Sequence, residues 1–211
     1  VQAQQAKYVF YFIGDGMGVN QVQGTEMYLS ELKGEIGITP LLFTQFPYAT
    51  MATTYSATNG VTDSAAAGTA LATGSKTKNG ALGVTKDLTE VGSVATWAKA
   101  NGYRVGVSSS VSIDHATPAA FYAHQGNRSS YYNIGLDLIE ANFDFYAASD
   151  FLDPTNEKAK DGKTYENLYD LTQKAGFTLA RGYKDYLKKA KKAEKMILFQ
   201  TEKASEKDRG A

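Results

Sequence analysis

The chain contains no cysteine and only two histidines, His115 and His124, in 211 residues. It therefore has no disulfide to staple it and no cysteine ligand for a metal. The same absence leaves the redox compartment open, because a protein without disulfides tolerates either state. Net charge is also missing: Lys+Arg and Asp+Glu balance at 22 each, so no basic footprint for nucleic acid is present. No run approaches the ~18 consecutive apolar residues of a membrane helix. There is no internal repeat and no long low-complexity linker. What remains is a hydrophobic share of 43% in a chain long enough for one domain, residues 1–211, with a real core.

Apolar runs alternate with helical patterns along the sequence. Strands are expected at Tyr8–Ile13, Tyr103–Ser109, Phe143–Ala147, Phe177–Ala180 and Met196–Phe199. Helices are expected at Val19–Ser30, Ser64–Thr73, Val91–Ala100, Pro118–Gln125, Ser130–Ala141, Thr164–Ala175 and Tyr183–Ala190. This alternation predicts an α/β fold, a three-layer αβα sandwich with a largely parallel central sheet, here incomplete. Gly102, Gly126 and Gly176 fall where helix C-caps are expected. Residues 150–162 are polar and turn-rich and read as an excursion. The charged run Tyr183–Lys195 reads as a solvated helix face with Leu187 and Ala190 turned inward.

The most informative stretch is Val61–Gly74. It sets Asp63 and Ser64 at the mouth of a helix whose first turn, Ala65-Ala66-Ala67-Gly68, is almost bare of side chains. Bare backbone N–H groups and the positive end of the helix dipole suit an anion such as phosphate, and Ser64 sits where a nucleophile could meet it. Taken alone, the segment favours plain capping by Thr62, Asp63 and Ser64 over catalysis, and the stretches elsewhere in the chain shift that balance.

Two further stretches place polar groups where a strand hands over to a helix. Val9–Ile13 reads as a strand buried on both faces, and Asp15 follows at its carboxyl end between Gly14 and Gly16. A carboxylate there is a hard ligand for Mg²⁺ or Zn²⁺; the alternative is a tight turn whose aspartate caps the next helix. Tyr103–Ser109 leads into Ile113-Asp114-His115-Ala116-Thr117-Pro118. Thr117 is the expected cap of the helix that Pro118 opens. Arg128 lies just beyond it; a guanidinium fork matches two phosphate oxygens in a way that lysine cannot.

Taken together, these blocks resemble the alkaline phosphatase family. The resemblance rests on Ile13–Gly18, Thr62–Ala66, Ala72–Thr77, Asn79–Val84 and Ala116–Ala120, with Arg128 eleven positions after Thr117. It covers residues 8 to 130, with a weaker likeness through Ala141–Asp150. It implies a phosphomonoesterase in which Ser64 is the nucleophile that forms a phosphoserine. Arg128 would clamp two phosphate oxygens, with Asp63 beside the nucleophile helping to orient it. Asp15, Ser64, Thr117 and His115 would serve metal sites, which in the complete enzyme hold two zinc ions and one magnesium. Asp15 would be shared between a zinc and the magnesium, with Thr117 and His115 on the magnesium side.

The same resemblance implies small phosphate monoesters as substrates, no nucleic-acid partner, a periplasmic or secreted location and a homodimer. Two histidines are too few for two zinc sites, so the remaining ligands are expected in a missing carboxyl-terminal half. The polar segment Gln200–Ala211 then follows the last strand, and the isolated chain is expected to lack full activity. Residues 1–7 are expected to be a flexible terminus, and Val1-Gln2-Ala3 resembles the end of a cleaved secretory signal. Alternatives are a phosphodiesterase or sulfatase-type hydrolase of the same superfamily, or a non-catalytic phosphate-binding fragment. Asp63-Ser64-Ala65-Ala66 with Arg128 favours monoesters, and there is no Cys-x-Pro-x-Arg sulfatase signature.

Overall fold

A computed structural model describes residues 6–201. The signal-like Val1–Ala3, most of the expected flexible terminus and all but two residues of the polar segment lie outside the described residues. The chain divides after Thr53 into two compact units.

In the first unit, helix α1 (Val19–Glu31) is followed by a short 3-10 turn at Phe43–Gln45. Glu26 is its buried anchor, at 7% exposure. Its Oε1 accepts hydrogen bonds from Leu41 N at 2.9 Å and Thr44 Oγ1 at 2.6 Å. Those bonds hold the Glu26 carboxyl below the usual carboxylate range. The strand expected at Tyr8–Ile13 does not form. Its side chains Tyr8 to Phe12 are 53–88% exposed and the segment enters no ladder among the described residues. β-branched and aromatic residues favour a strand only when neighbours cover them, because the preference is largely one of packing.

The second unit is built on a four-stranded sheet in the order β1-β2-β4-β3: β1 (Gly106–Ser108), β2 (Phe145–Ala148), β4 (Lys195–Phe199) and β3 (Phe177–Arg181). All three pairings are parallel, in register Val107↔Tyr146, Tyr146↔Ile197 and Leu179↔Ile197. Helices α2 (Ser64–Thr73), α3 (Val94–Ala100), α4 (Ala116–Ala119), α5 (Tyr131–Ala141), α6 (Leu168–Lys174) and α7 (Gly182–Lys189) flank it, which is the α/β architecture expected of the sequence. The core gathers Ile113, Ile134, Leu138, Phe143, Tyr146, Phe151, Leu168, Phe177, Ile197 and Phe199, each at most 3% exposed. Tyr146 is accommodated there because its hydroxyl donates to Leu138 O at 3.1 Å.

Several boundaries differ from expectation, each for a local reason. α3 starts at Val94, not Val91, because Val91 N is bound to Gly83 O at 2.9 Å and Ser93 Oγ caps Thr96 N at 3.0 Å. β1 is shortened because Val105 O accepts from both Asp144 N and Phe145 N, ending the regular ladder there. α6 starts at Leu168, where Asn167 Oδ1 accepts from Tyr169 N. Gly102 and Gly176 take the left-handed backbone expected of helix caps, with φ of +82° and +89°; Gly126 does not. Leu187 is 52% exposed rather than turned inward, while Ala190 is half-buried.

Asp144 ties the sheet's entry to α3. Its Oδ2 accepts from Lys99 Nζ at 2.8 Å and from Val105 N at 2.9 Å. Burial alone would raise its pKa, but these donors outweigh it and the carboxyl titrates below its ordinary value. A lowered folded pKa adds stability at neutral pH that is lost as pH falls through the unfolded and then the folded value. Asp144→Asn is therefore expected to unfold more readily than the native chain at pH 7 and to lose less stability between pH 7 and about pH 3. Urea midpoints across that range check it; parallel curves would remove Asp144 from acid stability.

Candidate active site

The site is organised by the N-terminus of α2. Asp63, the N-cap, has extended backbone and its Oδ1 accepts from Ala66 N at 2.9 Å, satisfying one of the helix's open donors. Ser64 follows as the first helical residue and is partly exposed. The other Asp63 oxygen, Oδ2, accepts from Gly80 N at 3.0 Å and from Arg128 Nη1 at 3.1 Å. One carboxylate thus joins a helix start, the 79–80 turn and a guanidinium distant in sequence. Asn79 reinforces the turn: its Oδ1 accepts from Asp63 N at 3.3 Å and its Nδ2 donates to Val61 O at 3.0 Å. Arg128 N donates to Gly80 O at 2.7 Å, so backbone and side chain of Arg128 are held by the same corner. Among the described residues, the guanidinium's other donors have no partner.

The small residues of α2 have a packing reason. Ala65, Ala66, Gly68, Thr69 and Ala72 are all buried. A Cβ on Gly68 would lie 3.0 Å from Ala120 Cβ and 3.6 Å from Thr117 Cα, so glycine lets α2 and α4 meet nearly backbone to backbone. That contact sets Thr117 one turn along from Ser64 on the neighbouring helix. The helix expected from Pro118 with Thr117 as cap is corrected: α4 spans Ala116–Ala119, His115 is its N-cap and Thr117 lies inside it. Proline is tolerated there because N–H groups of a helix's first turn need no intrahelical acceptor. His115 and Thr117 are both partly exposed.

Asp114 has no role in the sequence motifs, yet it supports the turn that carries His115. It is fully buried, and its Oδ2 accepts from Leu152 N at 2.8 Å. Burial pushes its carboxyl up to about 7, against the opposing pull of the Leu152 N–H. Ile113 N donates to Asp150 O at 3.0 Å and Ser149 N to Val111 O at 3.0 Å, so three links bind the 111–114 turn to the segment after β2. Asp150 is in turn held by Arg181, whose Nη1 and Nη2 each lie 3.1 Å from its oxygens. The turn presenting His115 and Thr117 is therefore braced from the sheet's interior. Only the position of an ionisable residue beside His115 hinted at this in the sequence.

Asp15 belongs to the first unit. It is exposed, in the turn closed by Met17 N donating to Gly14 O at 3.2 Å, and Gly16 takes φ +66°. No group of three or more His, Asp or Glu side chains poised for a metal ion occurs among the described residues. Asp63 is occupied by Ala66, Gly80 and Arg128 rather than offered to an ion. The described donors thus do not by themselves complete a metal centre. His124, the second histidine, serves structure: its Nδ1 lies 2.7 Å from Gly83 O, and its backbone N–H donates to Asp137 Oδ2 at 3.0 Å.

The sequence model of the alkaline phosphatase family matches residues 6–144, well over half of the chain. The chain belongs to the alkaline phosphatase family. It is 37% identical over 148 residues to the tissue-nonspecific alkaline phosphatase of Gallus gallus, covering 64% of this chain and 28% of that protein. It is 34% identical over 186 residues to alkaline phosphatase 3 of Bacillus subtilis, covering 87% of this chain and 40% of the relative. Among solved structures, the alkaline phosphatase of the Antarctic bacterium TAB5 superposes with TM-score 0.70 at 32% identity, over 88% of this chain and 53% of that one. A TAB5 variant with a histidine changed to glutamate, solved with Mg bound in its M3 site, gives TM-score 0.72 at 31% identity over 93% of this chain. The chain thus spans about a quarter to two fifths of these curated relatives and about half of the solved chains.

Asp63→Ala removes a helix cap and two further bonds at once. It is expected to lower stability by about 2–3 kcal/mol. Thermal unfolding checks this against Asp63→Asn, which keeps a cap acceptor and should lose less. Equal losses in the two variants would contradict the cap.

Proposed function

We propose that this chain carries the nucleophile-bearing part of a phosphomonoesterase, with Ser64 attacking the phosphorus and Arg128 binding the phosphoryl oxygens. The observation that supports this best is the Asp63 carboxylate, which holds Arg128 at 3.1 Å while its own backbone hands the chain to Ser64. Ser64 Oγ would form a bond to phosphorus as the ester oxygen leaves with a proton. Water would then cleave the phosphoserine, releasing phosphate and restoring the hydroxyl. The positive end of the α2 dipole and the Arg128 guanidinium would stabilise charge on the transferring phosphoryl group. Asp63 acts by position: it orients Arg128 and the helix start together.

Metal dependence, with zinc and magnesium, belongs to this proposal for the whole protein, and Asp15, Ser64, Thr117 and His115 are the donors this chain would contribute. The described donor set does not by itself complete a centre for either ion. A single domain over residues 1–211, small phosphate monoesters as substrates, a homodimer, and a periplasmic or secreted location belong to the same reading. No helix among the described residues is long and apolar enough to cross a membrane.

The test is release of phosphate from an aryl phosphate by the whole protein supplied with zinc and magnesium. Ser64→Ala should lower kcat by at least about 10³-fold and abolish the acid-trapped phosphopeptide containing Ser64. Activity that survives Ser64→Ala would end the phosphatase reading. Arg128→Ala is expected to weaken inhibition by inorganic phosphate about 10- to 100-fold, the loss of one or two charge-assisted bonds. An unchanged inhibition constant would take Arg128 out of the site.

A further inference from the structure

The charge balance of the chain hides a local excess. Residues 182–195 hold six lysines, Lys184, Lys188, Lys189, Lys191, Lys192 and Lys195, against only Asp185 and Glu194. Residues 182–192 form α7 and the 3-10 turn Ala190–Lys192 that continues it, and Lys195 opens β4. Two of the lysines are already committed. Lys189 Nζ donates to Leu179 O and Asp185 Oδ2, each at 2.8 Å, and Lys195 Nζ donates to Ala175 O at 2.8 Å. Among the described residues, Lys184, Lys188, Lys191 and Lys192 have no ion-pair partner, and all four are exposed.

The apolar side chains on this element are divided between two faces. Tyr186 faces the sheet, edge-on to Phe145 with centroids 6.5 Å apart. Tyr183 and Leu187 do not: they are 69% and 52% exposed. At about 100° per residue, Tyr183 and Leu187 lie side by side along one edge of the solvent-facing arc, and Lys191, Lys184 and Lys188 follow round it. Tyr183 is held in place by stacking on Tyr186, centroids 6.0 Å apart. An aromatic and a leucine flanked by unpaired lysines on one exposed helical arc is the pattern of an element that rests in a lipid interface.

We propose that the exposed arc of α7 docks this protein on an anionic phospholipid surface, with the four unpaired lysines at the headgroups and Tyr183 and Leu187 entering the boundary. Charge complementarity selects the surface, and the two apolar side chains favour a bilayer over a wholly polar polyanion. The inference is independent of the phosphatase reading, since none of these residues is placed in the candidate active site.

The experiment is flotation of the purified full chain with vesicles of phosphatidylcholine alone or with about a third phosphatidylglycerol. Binding is expected to the anionic vesicles only and to fall steeply between 50 and 500 mM salt. Replacing Lys184, Lys188, Lys191 and Lys192 together by glutamine should reduce partitioning about 100-fold or more. Tyr183→Ser with Leu187→Ser should reduce it about 10-fold or more at constant charge. Because all six side chains point to solvent, near-native thermal unfolding is expected and serves as the folding control. Equal binding to neutral and anionic vesicles, or no binding to either, would overturn the proposal. So would insensitivity to the lysine changes. Retention on heparin together with vesicle binding that ignores Tyr183 and Leu187 would reassign the surface to polyanions in general and overturn it as well.

Discussion

The candidate site depends on one carboxylate with three donors. Asp63 closes the first turn of α2 through Ala66, fixes the 79–80 turn through Gly80 and holds Arg128. Remove any one of these and the other two no longer define the place of Ser64 relative to a cation. The carboxylate is compensated on all sides, so its partial burial is tolerable, and a compensated carboxylate is a rigid positioning device. The same economy explains why Arg128 can lie far from Ser64 in sequence yet share its corner.

A second constraint is close packing. Glycine at position 68 lets α2 approach α4 to within ordinary backbone contact, and a larger side chain would push Thr117 away from the α2 face. From the other side, Asp114, Asp150 and Ser149 brace the turn ahead of α4 against the segment leaving β2. The small-residue stripe and the buried polar network therefore act on the same short helix from opposite directions. Arg181 extends that network to the end of β3, linking the site's floor to the sheet.

Much of this was legible from residue types. Ser64–Thr73 matches its expected bounds, and four of the five expected strands occur, because Asp63 is a strong cap and the apolar runs of the second unit find parallel neighbours. Asp63 and Arg128, singled out for phosphate chemistry, are brought into direct contact. The strand expected at Tyr8–Ile13 shows the limit of a local pattern: an apolar run is suited to burial, and only neighbouring chain can provide it. The shift of the 118–125 helix to Ala116–Ala119 has the same origin. Pro118 is compatible with several positions in a first turn, and packing against Gly68 decided among them.

By itself the sequence determined the parallel α/β class, the capped start of α2 with Ser64 as its first residue, and membership of a family, because these follow from local patterns and ordered motifs. The tertiary structure decided that Asp63 bridges to Arg128, that Asp114 is buried behind His115, and that Tyr183 and Leu187 face outward beside four unpaired lysines. Those depend on which surfaces meet. Burial and long-range hydrogen bonds are properties of pairs of segments, and neither segment alone encodes its partner.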